Sequence, residues 1–270
     1  MTDIVVISPH MTDPWDVLGP HQQQITRAFL AEREREHRHL VIYLSGAHAY
    51  GFPSPDSDLD LKCVHIAPTR TLVGLEATAD PDDVMVTIEG VELDYGSNEL
   101  APVLRGAIRG NGNFLERLLG ELVLGSDPLL VQARELVKAT VSRRVIKHYA
   151  GFAAHQFRMF RDKPTAKHAL YVLRLSATAQ HLLATGEMVT DVTRLLDLVP
   201  AETSELVAIK ASGERELLEP DYAATWNPRL AAAVEVIDKA WPTATVPIDP
   251  PAPAIAALDA WLRDVRRDRW

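Results

Sequence analysis

The sequence predicts an α+β protein: a mixed β-sheet packed on helices, followed by a mostly helical C-terminal part. Three observations predict it. Short apolar or alternating runs bounded by turn residues continue to Tyr95, helical apolar spacing takes over from Asn98, and a proline-rich stretch sets off one last helix.

The elements follow in order. Pro9, Pro14, Gly19 and Pro20 make an irregular arm before an amphipathic helix over residues 21–36, with Ile25, Phe29 and Leu30 on its apolar face. Residues 40–44 are a continuous apolar run of the kind a buried strand carries. Ser45 to Gly51 reads as a loop whose small residues admit close backbone approach, and a turn follows at residues 53–57. From Asp58 the chain alternates with period two, as a half-buried strand does, and the apolar stretch ends at Ile66. Residues 84–88 and 91–95 read as a hairpin about Glu89-Gly90, where glycine supplies positive φ.

Beyond Asn98, Leu100, Leu104 and Ile108, then Phe114, Leu115, Leu118, Leu119 and Leu122, recur at helical spacing. Further helices are expected over 131–160, 166–185 and 228–240, and a proline-rich linker at 242–253 precedes a last helix at 254–266. A break after Gly125 divides the expected domains: 1–125, an α/β core with its N-terminal arm, and 126–270, a helical domain with the linker and terminal helix.

The chain has 270 residues, 47% of them hydrophobic, enough for one large core or two modest ones. Its apolar runs are too short for a bilayer and no basic-then-apolar leader opens it, so a cytoplasmic protein is expected. Cys63, the single cysteine, can form neither an internal disulfide nor a multi-cysteine zinc site, and is expected in the core. With 28 Lys and Arg against 37 Asp and Glu, the surface as a whole does not advertise nucleic-acid binding, though a local basic groove stays open. No histidine pair has the HExxH spacing of a metalloprotease, and most of the ten are expected at the surface or behind other ligands.

The chemistry concentrates after the turn. Strand alternation puts Asp58, Asp60 and Lys62 on one face and Leu59, Leu61 and Cys63 on the other. Two acids that close repel unless a divalent cation neutralises them, and Mg2+ favours carboxylate oxygens together with nucleotide phosphates. A D-x-D alone would more often be a solvated strand face. Here a strand, a glycine-containing loop and a turn precede it, a combination in which loop amides can cradle phosphates beside the metal-holding acids. A third carboxylate is expected from the hairpin, where Glu92 and Asp94 share a face and periodicity leaves both open.

Gly46-Ala47-His48-Ala49-Tyr50-Gly51 and Pro55-Asp56-Ser57-Asp58-Leu59-Asp60-Leu61 resemble the G-S-x-x-x-G to S-D-x-D signature of predicted bacterial nucleotidyltransferases of the YcgL-like kind, a branch of the DNA polymerase beta superfamily. The likeness continues through Asn98-Glu99-Leu100, Asn111 to Glu116 and Lys167 to Gly186. It implies a nucleotidyltransferase core in which Asp58, Asp60 and Asp94 hold Mg2+ or Mn2+, the third aspartate falling five residues before Glu99. It also implies an NTP bound through Gly46, Ala47, His48 and Ser57, attack of an acceptor hydroxyl on the α-phosphate, and loss of pyrophosphate. Ala47 departs from the pattern, standing where the usual serine would bind the terminal phosphates, with Ser45 and His48 flanking the gap. An inactive, nucleotide-binding regulatory protein of the same fold is therefore the competing expectation.

Lys62 is expected to neutralise phosphate or pair with an acid. Lys167 and Arg174, seven apart on one helical side, are expected at the triphosphate, with a solvated face as the equal alternative. Arg144, Lys147, His155 and Arg158 read as a solvated face before they read as an acceptor wall, Asn111 and Glu116 as capping and packing, and Tyr50 and Phe52 as loop anchors or base-stacking rings. The acceptor stays open among an RNA end, a protein hydroxyl and a small molecule.

Overall fold

The apolar run at 40–44 forms strand β1 (His39–Leu44), buried at every position. It pairs antiparallel with β2 (Leu59–His65) on one side and with β5 (Val123–Ser126) on the other. β2 runs parallel to β4 (Val91–Glu99), which folds back antiparallel on β3 (Asp82–Ile88), giving a mixed sheet of order β3-β4-β2-β1-β5. Glu89 and Gly90 at the hairpin turn both have positive φ, 48° and 83°, which matches a two-residue turn to the twist of its strands. The structure is a computed structural model describing residues 13–73, 75, 81–213 and 217–270; Pro9 of the expected arm lies outside them.

Helix α1 (Pro20–Glu36) turns Ile25, Phe29 and Leu30 inward, the Phe29 ring meeting Tyr95 of β4 edge-on at 5.6 Å. The expected loop at 46–50 instead winds into a short helix, α2 (Gly46–Tyr50). Its alanines favour helix, and Gly46 (φ 63°) and Gly51 (φ 84°) delimit it. After β4 come α3 (Leu100–Ile108), capped by the Glu99 carboxylate, and α4 (Gly112–Leu119), capped by Asn111 as expected.

The single helix expected over 131–160 is two, α5 (Leu129–Lys138) and α6 (Val145–Asp162). At the break the Thr140 hydroxyl donates back to the Val137 carbonyl, and Arg143 turns out to donate to the carbonyls of Trp241, Ala244 and Val246. Arg143 thereby anchors the proline-rich linker. α7 (Ala166–Thr185) has the expected limits; α8 (Thr203–Ser212) and β5 were not foreseen. The helix expected from Pro228 begins a full eight residues earlier, as α9 (Pro220–Lys239) with Pro228 inside it. Burial of Trp226, Leu230 and Ile237 along one side offsets the hydrogen bond the proline ring forfeits.

α10 (Ala252–Arg267) returns to the sheet, where Arg266 pairs with Glu99 and the Thr69 hydroxyl donates to the Arg266 carbonyl at 2.6 Å. His39 and His65 are exceptions to the expectation that most histidines lie at the surface or behind other ligands, being buried against Tyr95 and Ser97 at 2.8 Å each. Burial first, and then the positive charge neighbouring histidines would carry, lowers both to a pKa of about 4. Cys63 is in the core, as expected, with burial raising its thiol pKa to about 12. Among the described residues no helix is long and apolar enough to cross a membrane.

One buried ion pair joins the sheet's helices to the helical part. Arg174 of α7 and Glu116 of α4, 1% and 3% exposed at their side chains, meet at 2.6 Å. Burial alone would lower the Arg174 pKa, but Glu116 and the surrounding tyrosines outweigh it and hold the guanidinium firmly charged. Breaking the pair strands a buried charge. Arg174→Met is expected to lower unfolding free energy in urea by about 3–5 kcal/mol, with Glu116→Gln added to it restoring a large part. A loss below about 1 kcal/mol, the range of exposed pairs, would contradict the role given to this contact.

Candidate active site

Parallel pairing of β2 with β4 sets Asp60 directly opposite Asp94. Both side chains are partly exposed while Leu59, Leu61, Leu93 and Tyr95 between them are buried, so alternation turns the acids to one open face. Asp58 enters the same region from the turn just before β2, close enough for its charge to act on Asp60. Glu92, the other hairpin acid, is exposed opposite Thr87 at the hairpin end.

Lys62 sits among these acids. Its Nζ lies 2.7 Å from Asp94 Oδ1 and 3.9 Å from Asp60 Oδ1, and donates to the Asp94 carbonyl at 3.3 Å. One cation does not balance the cluster. Burial, with the charge of Asp58 next, pushes Asp60 up to about 7 against the opposing pull of Lys62. Asp58, Asp60 and Asp94 offer the hard oxygen donors that a divalent cation of the Mg2+ or Mn2+ kind takes, but their oxygens are not all within 4.8 Å of one another, so an ion held by all three would have to draw them together.

Gly46 fixes how α2 meets this cluster. A Cβ built there would stand 1.9 Å from Asp60 Oδ2, so only glycine admits the carboxylate at that distance, and φ of 63° independently disfavours other residues. The Ser45 amide donates to the Asp60 carbonyl at 2.8 Å, tying the start of α2 to β2. A cleft of about 200 Å³ opens here, lined by Ser45, Gly46 and Tyr50 from the α2 region, Asp60 and Lys62 from β2, and side chains of α4, α6 and α7.

The remaining expected residues fall into two groups. Ala47 is buried and His48 half-buried within α2, the latter held near a pKa of about 4 by burial and then by Lys210. Ser57 faces its own turn, accepting from the Ser54 amide at 3.0 Å and from Lys210 Nζ at 3.4 Å. Lys167 and Arg174 do not line the cleft; Arg174 lies behind it, its guanidinium 3.7 Å from the Tyr50 ring centroid and paired with Glu116. Tyr50 and Phe52 are anchored in a ring cluster with Tyr171, at 5.6 and 5.7 Å from it.

Sequence reasoning missed Asn113, Arg117, Phe152 and Tyr171, all of which line the cleft. Asn113, Glu116 and Arg117 share one face of α4 by their three- and four-residue spacing, a signal hidden inside a segment read as capping. A different set, Glu36, His37 and Asp82, has ligand atoms within 4.8 Å of one another at the opposite end of the strands. Arg33 already stands 2.9 Å from Glu36 and 3.7 Å from Asp82, neutralising much of its charge.

Residues 22–264 match the RNA repair pathway DNA polymerase beta family, RlaP, a span holding the acid cluster, the cleft and every helix that lines it. The match supports the polymerase beta superfamily that the residues suggested and lends nothing to the narrower YcgL-like resemblance. No curated protein matches the chain. A nucleotidyltransferase-like protein from Exiguobacterium sibiricum 255-15 is similar at 11% identity and a TM-score of 0.32, over 91% of this chain and 80% of that one, too low a likeness to bear on the site.

The raised Asp60 pKa has a measurable sign. The folded value, about 7, lies above the ordinary aspartate value of 3.8, so the protonated form's stabilisation is present below about 4 and lost as pH rises through 7. Asp60→Asn mimics the protonated form. In chelator at pH 8 it is expected to be more stable than the wild type, by on the order of 1–2 kcal/mol, with the gap closing by pH 4. A variant less stable than the wild type at pH 8 would overturn this reading of the cluster.

Proposed function

Because the chain belongs to the RNA repair pathway DNA polymerase beta family, we propose that it is a metal-dependent nucleotidyltransferase that moves a nucleoside monophosphate from an NTP to the hydroxyl of an RNA end. The observation that carries this is the register of β2 on β4, which brings Asp60 and Asp94 together beside Asp58 with too little positive charge to balance them. The family's connection with RNA repair favours RNA over a protein or small-molecule acceptor.

Asp58, Asp60 and Asp94 would hold the divalent cations. Cations bound there would supply charge to neutralise the triphosphate and to lower the pKa of the attacking hydroxyl. The acceptor oxygen forms a bond to the α-phosphorus, the bond from that phosphorus to the β-phosphate bridging oxygen breaks, pyrophosphate leaves, and the hydroxyl proton passes to Asp94. Lys62 exchanges its carboxylate partner for phosphate when the acids are neutralised. Gly46 keeps the start of α2 close to Asp60, and the Ser45 hydroxyl, which lines the cleft and meets the Tyr50 hydroxyl at 3.3 Å, is the group that would substitute for the hydroxyl Ala47 lacks. Arg174 acts as a positioning residue through Glu116 and Tyr50. The rings of Phe152 and Tyr171 offer flat surfaces to a base.

The test is incubation with each α-labelled NTP, Mg2+ or Mn2+, and RNA, protein and small-molecule acceptors. Label transfer to RNA with pyrophosphate release is expected. Asp58→Asn and Asp60→Asn should each lower the rate by about two orders of magnitude or more while remaining folded, since metal stabilisation of developing charge is worth several kcal/mol. Ala47→Ser should tighten NTP binding by about 0.5–1.5 kcal/mol if no neighbour already serves those oxygens. Full transfer by both aspartate variants, or nucleotide binding without transfer to any acceptor, would refute the catalytic assignment; the latter result would favour a binding-only protein.

A further inference from the structure

α3, α4 and α6 enclose a second, larger depression of about 560 Å³ with a character opposite to that of the protein as a whole. The chain carries a net charge of -9, yet Arg105, Arg109, Arg144, Lys147 and His148 line this groove and no carboxylate does. Arg105 and Arg109 come from the end of α3, Arg144 and Lys147 from the start of α6. All four are exposed. Arg105, Arg109 and Lys147 form no ion pair with any described residue, and Arg144 reaches outward to Asp249 at 2.8 Å. His155 and Arg158, also considered for an acceptor wall, lie outside the groove and interact with each other at 3.4 Å.

The groove is held in shape by glycines. Gly110 has φ of 84°, and a Cβ there would meet the Arg144 backbone at 2.5 Å; one on Gly112 would meet the His148 ring at 2.3 Å. These contacts bring the end of α3 against the start of α6, so that cations from both helices line one groove. The α4 and α6 N-termini both open there, adding partial positive charge. His148 Nε2 is buried without a hydrogen-bond partner, and the Phe114 ring forms part of the wall.

The groove adjoins the acid cleft. α4 gives Phe114 to the groove and Arg117 to the cleft, and α6 gives His148 to the groove and Phe152 to the cleft. That offset is about one helical turn, ~5–6 Å, or roughly two steps of a nucleic-acid strand at ~3.4 Å each. We infer that this groove binds the phosphodiester backbone of the acceptor strand just upstream of the reacting hydroxyl, with Arg105, Arg109, Arg144 and Lys147 as phosphate contacts. It rests on the transfer reading only for the identification of the strand as the acceptor. Four cations drawn from two helices exceed what one small anion needs, and an aromatic ring beside them suits a base.

Binding of a fluorescein-labelled single-stranded RNA to the full chain, followed by anisotropy across a salt series, tests this without turnover. Arg105→Gln with Arg109→Gln, and separately Lys147→Gln, should weaken RNA binding, the double variant by about tenfold at moderate salt. Each lost phosphate contact should flatten the slope of log affinity against log salt by about 0.7. Arg263→Gln, an exposed cation on α10, is the control and should change neither. NTP affinity, titrated separately, should stay at the wild-type value in all variants. Unchanged RNA affinity and slope in the groove variants overturn the inference, as does absence of RNA binding by the wild type. Competition by poly-glutamate as effective as by unlabelled RNA of equal charge also overturns it, pointing to an acidic protein partner. RNA binding through the groove with no transfer to RNA leaves the inference standing and sinks the transfer reading; transfer to RNA untouched by the groove variants does the reverse.

Discussion

The contact on which the most depends is the buried pair of Glu116 and Arg174. Glu116 also accepts from the hydroxyls of Tyr50 at 3.3 Å and Tyr149 at 3.2 Å, so one carboxylate gathers α2, α4, α6 and α7. Arg174 covers the face of the Tyr50 ring. A buried pair contributes little net stability against an apolar substitute, but its geometry is demanding, and here it fixes the helices that form the cleft wall. Through Tyr50 the same pair sets α2, and through α2 it sets Gly46 against Asp60.

The acid cluster shows the complementary constraint. Its like charges are tolerated because Lys62 offsets part of them and because Asp60 keeps its proton to about neutral pH. A site that resists full ionisation when empty is suited to binding cations that relieve the repulsion, at some expense in stability. The basic groove beside it reverses the sign within about a helical turn, on an acidic chain. This juxtaposition separates two tasks, neutralising a triphosphate at the carboxylates and holding a polyanion at the arginines.

Much of the sheet was legible because its signals are local. The apolar run of β1, the alternation of β2 and the glycine of the β3–β4 turn each act over a few residues. Asp58 and Asp60 stood out for the same reason. The choice of Asp94 over Glu92 was beyond periodicity, since both share a face; only the resemblance pointed to Asp94, and the strand pairing places it beside Asp60. What was illegible depended on distant partners. Arg174 looked like a cleft cation because its carboxylate, Glu116, is 58 residues away, and the groove pairs α3 with the start of α6. The helix break at 139–144 serves the linker near Val246, and α9 tolerates Pro228 because its apolar side is buried, neither of which helical spacing reveals.

The proposed function requires that Asp58, Asp60 and Asp94 form the metal centre on which an NTP is used. Anomalous diffraction from crystals grown with Mn2+ and a non-hydrolysable NTP measures it directly. Manganese peaks are expected at about 2.1 Å from carboxylate oxygens of Asp58, Asp60 and Asp94, with the triphosphate beside Gly46 and Lys62 moved from Asp94 to phosphate. Manganese found only at Glu36, His37 and Asp82, or a nucleotide bound away from the three aspartates, would contradict it.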